Sequence, residues 1–188
     1  MAFNVNTFRA ELTQGGARPA LFEVQISPPT GGLGGEGTDL ITKSPFMVRA
    51  AQIPAQTLGQ VIVPYFGRQI KLAGNRTFED WTVTIINDED FKIRNAVEVW
   101  QESINSHVGN LREFATSNPN LYRGQATVTQ FSKTGERLRT YKFEGFYPQA
   151  VSEIGLSWDA DAIEEFSVTW AYDYWTVSGP TATGNVPS

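Results

Sequence analysis

The segment Ile163 to Trp175, IEEFSVTWAYDYW, limits the choice of fold more than any other part of the chain. Phe166, Val168, Trp170, Tyr172 and Tyr174 fall on alternate positions, with Ser167, Thr169, Ala171 and Asp173 between them. A period of two puts the large side chains on one face of a strand and the small polar ones on the other. An aromatic face of that size needs a second apolar layer against it, so this strand belongs to a packed β-structure.

Other segments repeat the pattern. Ala20 to Ser27 alternates Phe22, Val24 and Ile26 against Leu21, Glu23 and Gln25. Shorter strand-like runs lie at Phe46 to Ala50, Gly59 to Val63, Arg68 to Leu72, Trp81 to Ile86 and Val151 to Trp158. Ile53-Pro54 and Val63-Pro64 punctuate them, because proline cannot donate to a ladder. Gly124 to Ser132 and Arg137 to Phe146 flank Lys133-Thr134-Gly135-Glu136, a hairpin signal. The period changes only between Asp88 and Ile104, where Ile93, Val97, Trp100 and Ile104 mark one face of a helix. The fold expected is mainly β: a sandwich or barrel of about eight strands with one flanking α-helix over about 88–104. One domain spans 1–188, with an N-terminal arm (1–17), a Gly-rich loop (28–44) and a loose C-terminal tail (176–188).

Composition narrows the function. A chain of 188 residues supports one real core, and twelve Phe, six Tyr and five Trp lean towards strands. A net charge of -5 argues against a protein that grips nucleic acid phosphates. The absence of cysteine removes disulfides, thiolate metal sites and thiol nucleophiles. The start MAFNVNTFRAEL lacks a basic segment followed by an apolar run, so no signal peptide is expected. No apolar stretch is long enough for a membrane-spanning helix.

Each candidate for chemistry has a plainer explanation. Asn87 stands where a strand gives way to a helix, with Asp88, Glu89 and Asp90 behind it. These four are read as an N-cap and an acidic first turn facing the positive helix end. Asp159, Asp161, Glu164 and Glu165 resemble part of a calcium loop, but Ile163 and Glu164 stand where the third ligand and the glycine belong. Gly32-Leu33-Gly34-Gly35-Glu36-Gly37 matches a dinucleotide fingerprint only in letters, since Pro28, Pro29 and Pro45 exclude the required strand and helix. Asn75-Arg76-Thr77 is a glycosylation sequon that matters only in a secreted chain. His107 is the sole histidine, too little for a zinc site or a triad. No catalytic residue, metal or cofactor is expected. The small polar faces carrying Thr82, Thr84, Thr127, Thr129, Ser167 and Thr169 suit a solvent-facing sheet or the lining of a wet channel.

Three blocks then carry a resemblance: ARPALFEVQIS (Ala17 to Ser27), GRQIKLAGNRTFEDWTVTIINDEDFKIR (Gly67 to Arg94) and LSWDADAIEEFSVTWAYDYW (Leu156 to Trp175). In order and content they resemble the tail tube proteins of T-even-like contractile-tailed bacteriophages, and more distantly the tube proteins of type VI secretion. The Gly-rich segment after Ser27 looks longer here, and the extension past Trp175 looks additional.

The resemblance implies a structural protein of the virion tail, assembled in the host cytoplasm and without enzymatic activity. Six-membered rings would stack into a tube inside the sheath, bounded by baseplate and tail terminator proteins. DNA would pass through the lumen without specific binding. On this reading the six hydroxyl residues above are candidates for the lumen. Leu33, Leu40 and Ile41, the apolar anchors of the 28–44 loop, are candidates for contacts between subunits or rings. The alternative from composition is a carbohydrate-binding or carbohydrate-active β-sandwich, suggested by the tryptophans and carboxylates. It is disfavoured because Trp81, Trp100 and Trp170 lie on faces expected to be buried.

Overall fold

The computed structural model describes residues 5–12, 16–29, 33–110 and 118–180. Among them, β1 (Phe22–Ser27), β6 (Gly124–Phe131), the first part of β7 (Arg137–Val151) and β9 (Tyr174–Ser178) form one antiparallel layer. The end of β7 continues into a second layer with β8 (Glu165–Ala171), β5 (Trp81–Ile86) and β2 (Val48–Ala51). β7 therefore belongs to both layers. Its pairing with β9 ends at Glu144 and its pairing with β8 begins at Tyr147. Gly145, between them, has φ +69° and packs where a Cβ would lie 2.4 Å from the Asp173 carboxylate. Glycine takes that backbone at little cost, and any other residue would drive its Cβ into that carboxylate.

The two layers meet through aromatic rings. Trp81 of β5 stacks on Phe143 of β7, and Phe146 stacks on Trp170 of β8, each with centroids 4.4 Å apart. Val24, Ile26, Val83, Ile85, Val128, Phe166 and Val168 complete a fully enclosed core, each at most 2% exposed. Alternation puts them all on inward positions, which is the expected sandwich arrangement. The helix expected over 88–104 is found as α3 (Lys92–Ile104), with Ile93, Ala96, Val97 and Trp100 buried. The Trp100 indole donates to the Tyr122 carbonyl at 2.8 Å.

Several expectations are corrected. The 28–44 loop is largely α2 (Gly34–Met47), packed between β1 and α3. Leu33, Gly37, Leu40 and Ser44 form its buried stripe, at helical spacings of four, three and four. Ser44 Oγ accepts from the Ile26 amide at 3.1 Å. Pro45 lies in the last turn, so the carbonyl it leaves unpaired is that of Ile41, on the exposed side. Burial of Leu40 has outweighed weak helix propensity; Gly31 and Gly32 lie outside the described residues.

Ile163 to Trp175 is not one strand. β8 ends at Ala171, the chain turns at Tyr172-Asp173, and β9 returns to the other layer. The Asp173 amide donates to the Glu144 carbonyl at that turn. The expected tail thus contributes β9 up to Ser178, the remainder past residue 180 lying outside the described residues. Val151 to Trp158 is no strand either; after Val151 the chain runs irregularly to Glu164. The arm contains a short exposed helix, α1 (Val5–Glu11).

Candidate assembly surfaces

The six hydroxyl residues all lie on outward faces, but on two different ones. Thr82 faces Thr169 and Thr84 faces Ser167 across β5 and β8, each pair with hydroxyls 3.4 Å apart. Thr127 and Thr129 lie on the other layer, where Thr129 meets Thr140 across β6 and β7 at 3.3 Å. Because the layers pack core to core, these two faces point away from each other. The β5–β8 face is short and lined by small side chains, with Ala50 beside Thr84 and Ala150 beside Thr169, and its only charges are at one end, where Glu165 pairs with Arg49. The β6–β7 face carries Glu23 opposite Thr129, and Lys142 paired to Glu144 at 2.7 Å.

Asn87 is not the N-cap of α3. The residue preceding the helix is Phe91, in the left-handed region at φ 51°, and its side chain makes no cap hydrogen bond. Asp88 and Asp90 instead hold Lys43 of α2, at 2.8 and 2.5 Å. Asp90 Oδ1 also accepts from the Lys92 amide, and Asn87 donates to Glu164 across the strand end. The hydrogen bonds to the two carboxylates raise the Lys43 pKa above its ordinary value. The Lys43 bond in turn holds the Asp90 carboxyl below its usual range. These acids fasten α2 to the start of α3, where helix-cap rules place them at α3 alone.

Leu33 and Leu40, expected at subunit contacts, are core residues at 5% and 0% exposure, so they offer no surface; Ile41 remains exposed. Sequence reasoning missed one extended exposed apolar feature. β3 (Gln56–Tyr65) and β4 (Arg68–Phe78) form a two-stranded hairpin paired with neither layer. Val61 opposite Leu72, Val63 opposite Ile70, and Tyr65 opposite Arg68 give it one apolar face. Those five apolar side chains are 41–62% exposed, and Phe66 at the tip is 90% exposed. Two available signals could have found it: the unbroken run Val61-Ile62-Val63, which alternation does not explain, and the lack of any acid from Gln56 to Phe78. The tip is a two-residue turn with both φ values positive, Phe66 at 44° and Gly67 at 80°. A bulky aromatic there, where Asn-Gly is usual, is a strained choice.

The base of the hairpin is fixed to the body. The Tyr172 hydroxyl donates to the Glu79 carbonyl at 2.6 Å, and Phe78 meets the Tyr172 and Trp175 rings. Burial, with the charges of Asp80 and Glu79, pushes the Tyr172 phenol up to about 12. Strand register sets the poles. The hairpin leaves where Trp81 faces Trp170, and the irregular segment 152–164 lies at the other end of β5, where Ile86 faces Glu165. At that far pole, Asn87, Asp88, Glu89, Phe91, Ile163 and Glu164 line an open cleft of about 470 Å³.

The family model described as phage tail tube protein matches residues 17–178. The chain belongs to the phage tail tube protein family. The tail tube protein gp19 of Enterobacteria phage T4 is 37% identical over 161 residues, covering 85% of this chain and 90% of gp19. Among solved structures, a chain of the 6-fold-symmetrised anti-feeding prophage baseplate aligns with TM-score 0.59 at 11% identity, over 87% of this chain and 96% of its own. A chain of an extracellular contractile injection system, from its extended sheath–tube complex, gives TM-score 0.54 at 12% identity, covering 94% and 99%. The expected tail tube function and mainly-β fold thus stand. The carbohydrate alternative loses its basis, since Trp81, Trp100 and Trp170 are fully buried. Among the described residues no cluster of three or more His, Cys, Asp or Glu could hold a metal ion. His107 sits exposed beside Glu102, and no helix among the described residues is long and apolar enough to cross a membrane.

Proposed function

We propose that this tail tube protein acts as the repeating, non-catalytic subunit of the tube. It assembles in the host cytoplasm as six-membered rings that stack inside a contractile sheath. Baseplate and terminator proteins bound the stack, and the lumen passes DNA without specific contacts. The observation that carries this reading is the apolar face of the β3–β4 hairpin. A two-stranded ribbon is marginally stable alone, and one with exposed Val, Ile and Leu on one face needs a partner surface. In a self-assembling protein that partner is another copy.

For the bore we favour the β5–β8 face, with Thr82, Thr84, Ser167 and Thr169. Its short uncharged hydroxyls neither attract phosphates nor present fixed cations. Thr127 and Thr129 then belong to a face turned away from the lumen. Because the chain has no cysteine, single thiols test this directly. Thr169→Cys in closed tubes should react with a small maleimide and resist a polymer-coupled one, while dispersed subunits react with both. Equal labelling of tubes and subunits by the bulky reagent would refute the assignment.

A further inference from the structure

We infer that Glu165 masks Arg49 on the wall of the bore, so that a single carboxylate per subunit keeps a phosphate-binding cation out of the lumen. This rests on the proposed β5–β8 lining and adds the residue on which its lack of adhesion depends. Among the described residues Arg49 is the only base on that face and Glu165 the only acid. A guanidinium cannot shed its charge, and its planar fork suits a phosphate as well as a carboxylate. Only a partner held beside it can cancel it. Left open, one such group per subunit would recur around every ring and along the whole stack, where a walled channel focuses the field of each.

The backbone is shaped for this pairing. Val48 stands opposite Ile85 and Ala50 opposite Thr84, so Arg49 is the extra residue of a bulge in β2. A bulge re-aims the side chain it carries. Glu165 lies on β8, with β5 between it and β2. The two backbones are therefore about 9–10 Å apart, two strand spacings. Across that gap Arg49 Nη1 donates to Glu165 Oε1 in a direct ion pair. The contact closes only when both side chains lie flat over β5, along the wall and out of the lumen. Ala50, Thr84 and Ser167 are small enough to leave them that room.

Stability does not account for the pair. The Arg49 side chain is 61% exposed and that of Glu165 29%, and ion pairs so open to water add little to a fold. Charge does account for it. Without Glu165, nothing on that face holds the guanidinium to the wall, and it is free to turn toward a passing phosphate.

The test sediments assembled tubes with a short linear DNA duplex and measures the DNA in the pellet. Native tubes should leave the duplex in solution. Glu165→Gln tubes should pellet about tenfold more of it at low salt, an excess that disappears as salt rises. Adding Arg49→Gln to Glu165→Gln should abolish the capture, which a general loosening of the subunit would not do. Glu23→Gln removes the same charge from the opposite layer and is the control, expected to behave as native. A closed circular plasmid has no end to enter a tube and should stay in solution with every variant. Should Glu165→Gln block assembly, dispersed subunits on a phosphocellulose column give the same comparison, Glu165→Gln eluting at higher salt than Glu23→Gln. Capture or retention by Glu165→Gln no greater than by Glu23→Gln, or capture that survives Arg49→Gln, would overturn the inference while leaving the bore assignment standing. Equal capture of linear and circular DNA would place Arg49 outside the bore and overturn the proposed lining as well.

Discussion

Gly124 offers the sharpest test of how the sheet and α3 are locked together. It opens β6 with ordinary backbone angles, so replacing it by alanine introduces no φ strain. The obstacle is space. A Cβ there would lie 2.4 Å from the Ser27 carbonyl oxygen, 2.8 Å from the Trp100 ring and 3.1 Å from Pro28 Cα. Two of these are backbone atoms at the end of β1, and the third belongs to a ring wedged against Phe146 and Trp170. None is the free end of a flexible side chain, so relief requires moving β1 away from β6 or tilting Trp100 off its bond to Tyr122. Overpacking a well-filled core costs about 1–3 kcal/mol, and the backbone clash places Gly124→Ala near the upper end. For a chain of this size that lowers Tm by about 6–12 °C. Gly155→Ala is the control, because it has open space around it and no positive φ. Urea and thermal melts of dispersed subunits at low concentration are the assay, since assembly stabilises by mass action. A Gly124→Ala variant within about 0.5 kcal/mol of native, no different from Gly155→Ala, would refute the packing argument.

Three further outcomes are expected. Lys43→Met should lose the clip between α2 and α3, and the difference from native should depend on pH. Asp90 has a depressed pKa, so its share is present above the ordinary 3.8 and is lost as pH falls through the lower folded value. Lys43 has a raised pKa, so its share is present below the ordinary 10.5 and is lost as pH rises beyond it. Melts across pH should show a plateau between those limits, and a difference independent of pH would contradict the ion-pair origin. Tyr172→Phe should cost about 1 kcal/mol through the lost bond to Glu79 and speed amide exchange at the hairpin base. Spectrophotometric titration should lose a tyrosine that ionises near pH 12 in the native protein. Trp100→Phe should cost more than Trp81→Phe, because the Trp100 N–H is bonded to Tyr122 whereas the Trp81 N–H has no partner among the described residues; equal losses in urea melts would count against that reading.

By itself the sequence determined the strands whose alternation is enforced by burial. Phe166, Val168 and Trp170 face inward as their period demands, and so do Val24, Ile26, Trp81, Val83 and Ile85. It determined α3 through Ile93, Val97 and Trp100, and the family through three blocks of residues. Burial explains why these were legible: on these elements every inward position named is filled by an apolar side chain.

The tertiary structure decided the rest. α2 was hidden because its buried stripe includes Gly37 and Ser44, which no hydrophobic pattern counts. Gly37 is there because a Cβ would crowd Pro28 and Leu33, and Ser44 because a strand amide needs its hydroxyl. The break between β8 and β9 was hidden because Tyr172 and Tyr174 keep the alternating rhythm while serving different surroundings: β8 has just ended, and β9 pairs with β7. The acids before α3 looked like a cap because Lys43, about forty-five residues away in sequence, is brought to them only by folding. The hairpin looked like two ordinary strands for the opposite reason. Its apolar side chains carry the signature of burial, yet among the described residues nothing covers them, which is the ground for the proposed contact with another copy.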